Sequence, residues 1–263
     1  NAKGVVLSHR NLISCVHSCY DATSRNEKDR WLSILPMPHT FEMTIGMLYP
    51  MYAGASVYYM SKPPVPSLLL KAMKEVRPTT ILAVPLIIEK IYKNSIQPTI
   101  KKSPLLTWMN KNAYGLMCKI IGMKLKSTFG GKVTFFGIGG AKLDADIEAF
   151  LLKAGFPYAI GYGLTETSPL LSFSVKRART AGSIGIPVKG VELKLHNMNP
   201  ETGEGEIVAK GPNVMLGYYN DPEKTAEIIK DGWLYTGDMG RMDKDFKKTF
   251  NFRKCYLEFR TSC

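Results

Sequence analysis

Gly161-Tyr162-Gly163-Leu164-Thr165-Glu166-Thr167-Ser168-Pro169 follows a short apolar run, Tyr158-Ala159-Ile160, that reads as a buried strand. Two glycines allow the backbone to turn and to approach a ligand closely. Tyr162 between them offers a flat face on which a base can stack. Thr165 and Thr167 supply hydroxyls, and Glu166 supplies a carboxylate suited to a hard cation such as Mg²⁺. A strand ending in a glycine turn with hydroxyls and one acid suits a nucleoside triphosphate. An ordinary strand-to-loop turn is the plainer alternative for the same residues.

Upstream of that stretch, residues 132–138 read as a central strand that runs into Gly139-Gly140-Ala141. Backbone with almost no side chain there lets adenine or an acyl chain lie against it. Asp144 is placed to cap the next helix, with Asp146 and Glu148 in its first turns favourable to the helix dipole. Ile147, Leu151 and Ala154 form its expected buried stripe, and Gly155 ends it. The glycine turn at Gly161 then falls beyond the carboxyl end of its strand, where open α/β sheets bind ligands.

Further upstream, strands and helices alternate. Strands are expected over 31–36, 54–60 and 79–84, rich in β-formers and punctuated by Pro36 and Pro85. Helices are expected over 11–22, capped by Ser8, then from about residue 39 through Met43, Met47, Leu48 and Met51, over 67–76 capped by Ser67, and over 86–96. This alternation predicts an α/β fold with a largely parallel sheet and crossover helices. After Arg177 the pattern changes. Residues 191–196 alternate cleanly, a turn rich in Gly and Pro follows, and 206–210 return as a partner strand. That segment reads as antiparallel and barrel-like. Pro222 opens a helix expected to carry Ala226, Ile228 and Ile229 inward. Gly232-Trp233-Leu234-Tyr235 then delivers Thr236-Gly237-Asp238, and an acid after a strand can accept both hydroxyls of a ribose. A structural turn aspartate is the alternative, just as His39 without further context is a histidine at a helix start and His196 a strand-end surface residue.

Composition narrows the partners. The chain has 263 residues, 35 Lys and Arg against 22 Asp and Glu, a formal net charge of +13 and a pI near 9.4. A basic balance points to anionic membrane surface, polyanionic small molecules or nucleic acid. Nucleic acid is the weaker choice, since no recognised binding module is present. Residues 90–132 are the most basic part, with lysines interleaved among Leu105, Leu106, Trp108, Met109, Leu116, Ile120, Ile121 and Met123. They read either as a solvated helix face or as an amphipathic surface that rests on anionic lipid. Five cysteines lack metal spacing and are odd in number, so a reduced, cytoplasmic chain is the expectation, in peripheral contact with the inner face of a membrane if the lipid reading holds. No apolar run is long enough to cross a bilayer.

Gly139-Gly140-Ala141, the stretch over 161–169 and Gly232-Trp233-Leu234-Tyr235-Thr236-Gly237-Asp238, in this order and separation, resemble the adenylate-forming (AMP-binding) enzyme superfamily. The flanking sequence is most similar to the long-chain fatty acyl-CoA synthetases, and the resemblance runs from Asn1 to about residue 245. It implies the large N-terminal domain of such an enzyme, with residues 1–176 as a βα-layered nucleotide- and acyl-binding portion, 177–245 as an antiparallel barrel-like portion and 246–263 as a divergent tail. It further implies truncation at both ends. Residues 1–5 look like the tail of a phosphate loop containing Lys3, with an exposed terminal lysine as the alternative, and the small C-terminal domain with its adenylation lysine is missing. Tyr256 falls where the family has its hinge.

By the same resemblance the ligands are ATP, Mg²⁺, coenzyme A and a fatty acid. Thr165 holds phosphate oxygens, Glu166 takes Mg²⁺, and His39 steers the carboxylate. Gly139, Gly140, Ala141, Gly161, Tyr162 and Gly163 line the nucleotide, Tyr162 stacks on adenine, and Asp238 holds the ribose. Arg253 falls where the family has a second ribose contact, although the glycines expected around it are replaced by Phe246 and Phe252. The expected activity is a long-chain fatty acid–CoA ligase working through acyl-AMP, impaired in turnover by the missing parts. The alternatives are an adenylate-forming ligase for a short, aromatic or amino acid substrate, and a non-catalytic nucleotide- or lipid-binding remnant.

Overall fold

A computed structural model describes residues 3–61, 64–174 and 181–242. The alternating strands assemble into a seven-stranded sheet in the spatial order Ser56–Tyr59, Arg30–Ser33, Thr80–Ala83, Phe135–Ile138, Tyr158–Tyr162, Ser172–Phe173, Ile186–Pro187. The first five strands run parallel, and the last two are antiparallel additions. The strand running into Gly139 is therefore the middle one. Each parallel step requires a crossover, supplied by helical segments such as Phe41–Leu48, Pro66–Val76 and Ala145–Lys153.

The inner strands of this sheet are buried on both faces, as a parallel sheet requires, whereas the edge strand Ser56–Tyr59 is largely exposed. The period-2 alternation divides its side chains between two cores. Leu32, Ile81, Phe136 and Tyr158 pack with Met73, Met117 and Phe150 on one face. Trp31, Leu82 and Ala159 pack with Val16, Ile45 and Tyr49 on the other.

Local signals place the helix ends. Ser8 caps His9–Thr23, accepting from Asn11 N, while the Asn11 side chain accepts from Ser8 N. Asp144 accepts from the backbone of Asp146 and Ile147, and Asp221 caps Pro222–Ile228. Ser67 is not a cap. Pro66 takes the first position of Pro66–Val76, with Val65 before it, because proline's missing N–H is no loss there. The helix expected over 86–96 starts at Pro85 and passes through a wide turn, Tyr92–Ile96, before Gln97–Lys102. In Pro222–Ile228, Ala226 faces solvent and Ile228 is half-buried, so the expected inward stripe is absent.

The barrel-like segment is a four-stranded antiparallel sheet in the order Ile229–Lys230, Trp233–Arg241, Glu204–Lys210, Glu192–His196. The expected hairpin pairs Glu206 with His196 and Lys210 with Glu192. A separate two-stranded ladder joins Val5–Val6 to Gly217–Tyr218. Asp238 does not follow its strand as the sequence suggests; it lies inside Trp233–Arg241. The pairing with Glu204–Lys210 is irregular between Glu206 and Val208, and Gly237 there has φ +74°. A bulge with a left-handed glycine re-aims its neighbour's side chain, and here that neighbour is Asp238.

Candidate active site

The stretch over 161–169 sits at the carboxyl end of Tyr158–Tyr162, but the strand continues through Gly161 to Tyr162, so the turn begins at Gly163. A side chain at Gly163 would collide with the carbonyl of Pro169, which explains the glycine sterically. Thr165–Thr167 then form one tight 3₁₀ turn. Thr167 is buried, and its hydroxyl accepts from Leu164 N and donates to Leu164 O, so it shapes the turn and does not face a ligand.

This turn is clamped from outside its own sequence. Asn213, 1% exposed, donates from Nδ2 to the carbonyls of Thr167 (3.0 Å) and Leu170 (2.7 Å). Ser168 Oγ donates back to Asn213 O at 2.9 Å. Asn11 in turn donates to the carbonyls of Pro212 and Val214, anchoring the Asn213 segment to the first helix.

Two concavities flank the turn and share Leu164. One, of about 170 Å³, is lined by Gly140, Ala141, Gly161, Tyr162, Gly163 and Asp238 among others. Tyr162 is only 6% exposed, and its hydroxyl donates to Asp238 Oδ2 at 2.8 Å. Thr236 Oγ1 donates to Ile207 O and accepts from Asp238 N, fixing the bulge. Burial pushes the Asp238 carboxyl up, the bond from Tyr162 draws it back down, and Glu206 nearby raises it again.

Glu148 also borders this cleft. Sequence places it on an exposed first helical turn, yet it is 4% exposed. Its Oε2 accepts from Gly182 N at 2.7 Å and its Oε1 from the Tyr158 hydroxyl at 3.3 Å. Burial raises its carboxyl, against those two donors. Glu148 thus ties the 182–184 turn to the cleft wall.

The second concavity, of about 400 Å³, is lined by Lys3, Glu166, Tyr218, Glu206, Lys230 and Thr236 among others. Glu166 is half-buried and its Oε1 accepts from the Tyr218 hydroxyl at 2.8 Å. Burial and that bond both raise the Tyr218 phenol. Lys3 lies over the Tyr218 ring, 5.0 Å from its centroid. Among the described residues no three His, Cys, Asp or Glu side chains gather as a metal site. One carboxylate with an exposed hydroxyl beside it, Thr165, is a donor set that suits Mg²⁺, which takes few protein ligands and completes its shell with water and phosphate.

His39 lies apart from both concavities. It is exposed, and its Nδ1 accepts from Phe41 N at 3.2 Å. Phe41 links it to the rest, since a Cβ at Gly139 would come within 3.3 Å of the Phe41 ring. Phe41, Gly161 and Leu170 also line a narrow apolar slot with Trp31, Ile45 and Leu82, of about 40 Å³ free volume. Arg253 lies outside the described residues. Tyr218 and Asn213 carry no motif, and sequence reasoning did not find them; Glu148 was read only as an acid favourable to its helix dipole.

The AMP-binding enzyme family matches residues 1–219. The chain is 32% identical to long-chain-fatty-acid–CoA ligase 1 of Cavia porcellus over 92% of this chain and 38% of that protein. It is 32% identical to fatty acyl-CoA synthetase B of Dictyostelium discoideum, over 92% of this chain and 39% of that one. It is 31% identical to 4-coumarate-CoA ligase 2 of Narcissus pseudonarcissus, over 92% and 41%. Among solved structures, apo MatB from Rhodopseudomonas palustris superposes with a TM-score of 0.73 at 26% identity, over 96% of this chain and 45% of that one. The o-succinylbenzoate CoA synthetase of Bacillus subtilis, in complex with its acyl-adenylate intermediate, shares the fold with a TM-score of 0.74 at 23% identity, over 95% and 45%. The chain thus spans about two-fifths of the length of the curated relatives it matches.

Proposed function

This chain belongs to the AMP-binding enzyme family, and we propose that it contributes the nucleotide- and acyl-binding half of an AMP-forming acid–thiol ligase that activates long-chain fatty acids. The single observation that supports this reading most is the convergence of Gly140, Tyr162, Gly163 and Asp238 on one cleft, directly beside the Thr165–Glu166 turn. Adenine and ribose fill that cleft, with Asp238 accepting the ribose hydroxyls. The triphosphate extends past the exposed Thr165, which holds phosphate oxygens, into the larger concavity, where Lys3 contributes a positive charge. Glu166 would hold Mg²⁺, which supplies neutralisation of phosphate charge when bound.

The acid lies along the apolar slot, its carboxylate at Gly139 and Gly161 and steered by His39. Carboxylate oxygen attacks the α-phosphorus, giving acyl-AMP and releasing pyrophosphate. The thiolate of coenzyme A then attacks the acyl carbonyl, AMP leaves, and the thioester forms. Both steps depend on positioning and on fixed donors more than on covalent help from the protein.

The long-chain assignment is supported by the curated relatives and by the aliphatic side chains of Ile45, Leu82 and Leu170 in the slot. Each methylene buried there adds about 0.8 kcal/mol. A free volume of about 40 Å³ is little more than one water's share of the liquid, about 30 Å³, so Phe41 and Ile45 must move to admit a long chain. That narrowness also favours a second reading, a ligase for a short or aromatic acid, to which the coumarate ligase likeness adds weight. Non-hydrolysable acyl-AMP analogues carrying acetyl, coumaroyl, octanoyl and palmitoyl groups separate the two. Affinity that climbs with chain length supports the long-chain reading, and preference for the coumaroyl or acetyl form replaces it.

Residues 90–132 support a peripheral contact with anionic membrane. Leu105, Trp108, Leu116 and Met123 are 65%, 59%, 56% and 67% exposed among those lysines. No helix among the described residues is long and apolar enough to cross a membrane. Cys15, Cys19 and Cys118 are free thiols, which suits the reducing cytoplasm we assign to the chain.

A further inference from the structure

We propose, resting on the reading that lays the acid along the apolar slot, that Trp31 and Arg25 at the amino end of the slot bind an acceptor oxygen on the acyl chain, so that the preferred acid is an oxygenated one with a carbonyl about 13 Å from its carboxylate. The slot runs over one face of the parallel sheet, from Gly161 at the carboxyl end of the strands to Phe135 at the amino end. Strand pairing puts Trp31 level with Thr80, and Thr80 level with Phe135. The Arg25 guanidinium lies over the Phe135 ring, 5.3 Å from its centroid. Ile160 pairs with Ile138, so Gly161 lies level with Gly139, four residues beyond Phe135. Four residues of parallel strand rise about 13 Å, which an extended chain of about ten carbon–carbon bonds covers.

Both residues line the slot, and each holds a buried N–H without an acceptor among the described residues, Trp31 at Nε1 and Arg25 at Nε. Trp31 is only 1% exposed. Buried donors are nearly always paired, so two orphans at one end of one slot call for a ligand. The rest of Arg25 is occupied. Its Nη1 donates to Thr134 Oγ1 at 2.8 Å and lies 3.5 Å from Asp29 Oδ1, which fixes the guanidinium. Thr23 and Tyr49 also line the slot beside Arg25, but their protons are committed. Thr23 Oγ1 donates to Cys19 O at 3.1 Å, which leaves Tyr49 to donate to Thr23 across 2.7 Å. Tyr49 also accepts from Arg25 N at 3.2 Å. What this end still offers is N–H donors. A carbonyl oxygen brings two lone pairs and no proton, and so matches both. A hydroxyl brings a proton that finds only the part-used Tyr49 oxygen, and a methylene leaves both donors unpaired. The order of preference is therefore oxo above hydroxy above unsubstituted chain.

The test compares non-hydrolysable AMP analogues carrying 11-oxododecanoyl, 11-hydroxydodecanoyl and dodecanoyl groups, titrated calorimetrically into the 263-residue chain beside AMP itself. The oxo analogue is expected to bind at least tenfold tighter than the dodecanoyl one, with the hydroxy form between. Trp31→Phe and Arg25→Met each remove one donor, and each should cut that oxo-to-dodecanoyl ratio at least threefold. A ratio taken within each variant cancels any general loss of affinity, and the ratio in the unaltered chain stands even where a variant does not fold. In proton–nitrogen spectra the indole N–H of Trp31, assigned by its absence in Trp31→Phe, should move downfield with the oxo analogue and not with the dodecanoyl one. An oxo analogue that binds no tighter than dodecanoyl overturns the proposal, as does a ratio unchanged in both variants. In either case dodecanoyl binding above that of AMP keeps the ligase reading. If none of the three binds more tightly than AMP, the acid does not occupy the slot, and both the oxygen preference and that placement of the acid fall.

Discussion

Tyr162 donates its phenolic proton to Asp238 Oδ2 across 2.8 Å, joining two motifs that are 76 residues apart in sequence. The tyrosine ends the fifth parallel strand, and the aspartate sits on the bulge of the antiparallel sheet. Their bond joins the two sheets at the cleft of about 170 Å³ that both residues line, and it fixes the carboxylate orientation.

Tyr162→Phe removes that donor and leaves burial to raise the Asp238 carboxyl further. A hydrogen bond to a charged group contributes about 1.5–3 kcal/mol, so AMP affinity should fall by roughly 10- to 100-fold. Because burial holds the Asp238 carboxyl above its ordinary value, it takes up its proton earlier on acidification than a free aspartate does. Affinity for AMP should therefore fall as pH drops through that raised value. Asp238→Asn should bind weakly at all pH values and lose this dependence. Calorimetric titration between pH 4 and 8 measures both.

Asn213→Ala deprives two buried carbonyls, those of Thr167 and Leu170, of their donor. Each orphaned buried group costs about 1–3 kcal/mol, so urea denaturation should register a loss of about 2–6 kcal/mol. AMP binding should weaken as well, since the turn carrying Thr165 and Glu166 loses its clamp.

Much of the parallel sheet is legible in the sequence, since its strands are short apolar runs closed by glycine or proline. Ser8, Asp144 and Pro222 mark helix starts that the structure keeps. Glu148 was not legible. A carboxylate in a first helical turn looks solvent-facing, and only the fold brings Gly182, 34 residues on, against it. Tyr218 and Asn213 likewise meet Glu166 and Thr167 across 52 and 46 residues. Asp238 was found as a candidate but misplaced, because a bulge depends on pairing with Glu204–Lys210 and leaves no local mark beyond Gly237.

Glu42 offers a test of stability. It is 1% exposed, its Oε2 has no partner among the described residues, and burial raises its carboxyl to about 7, against a bond from Ser33. A raised acid keeps its proton in the folded state where the unfolded chain has released it. Stability should therefore decline as pH rises from about 4.5 to about 7, by roughly 3 kcal/mol for a single such group. Glu42→Gln should flatten that decline and be the more stable protein at pH 8, as read by thermal unfolding across the pH range.

Tyr218→Phe frees Glu166 Oε1 from its donor and lets the carboxylate turn away from the concavity. The Mg²⁺-dependent part of ATP affinity should fall by about three- to tenfold, in line with about 0.5–1.5 kcal/mol for one hydrogen bond. Binding of AMP without metal should stay unchanged. Parallel titrations of ATP with Mg²⁺ and AMP with EDTA separate the two.

The most direct measurement is calorimetric titration of the chain with a non-hydrolysable palmitoyl-AMP analogue, beside its acetyl counterpart and Asp238→Ala. Tight binding of the palmitoyl form, weak binding of the acetyl form, and loss of both in Asp238→Ala are the predicted results. Equal affinity in Asp238→Ala, or no binding of either analogue by the unaltered chain, would contradict the assignment of the cleft to an acyl adenylate.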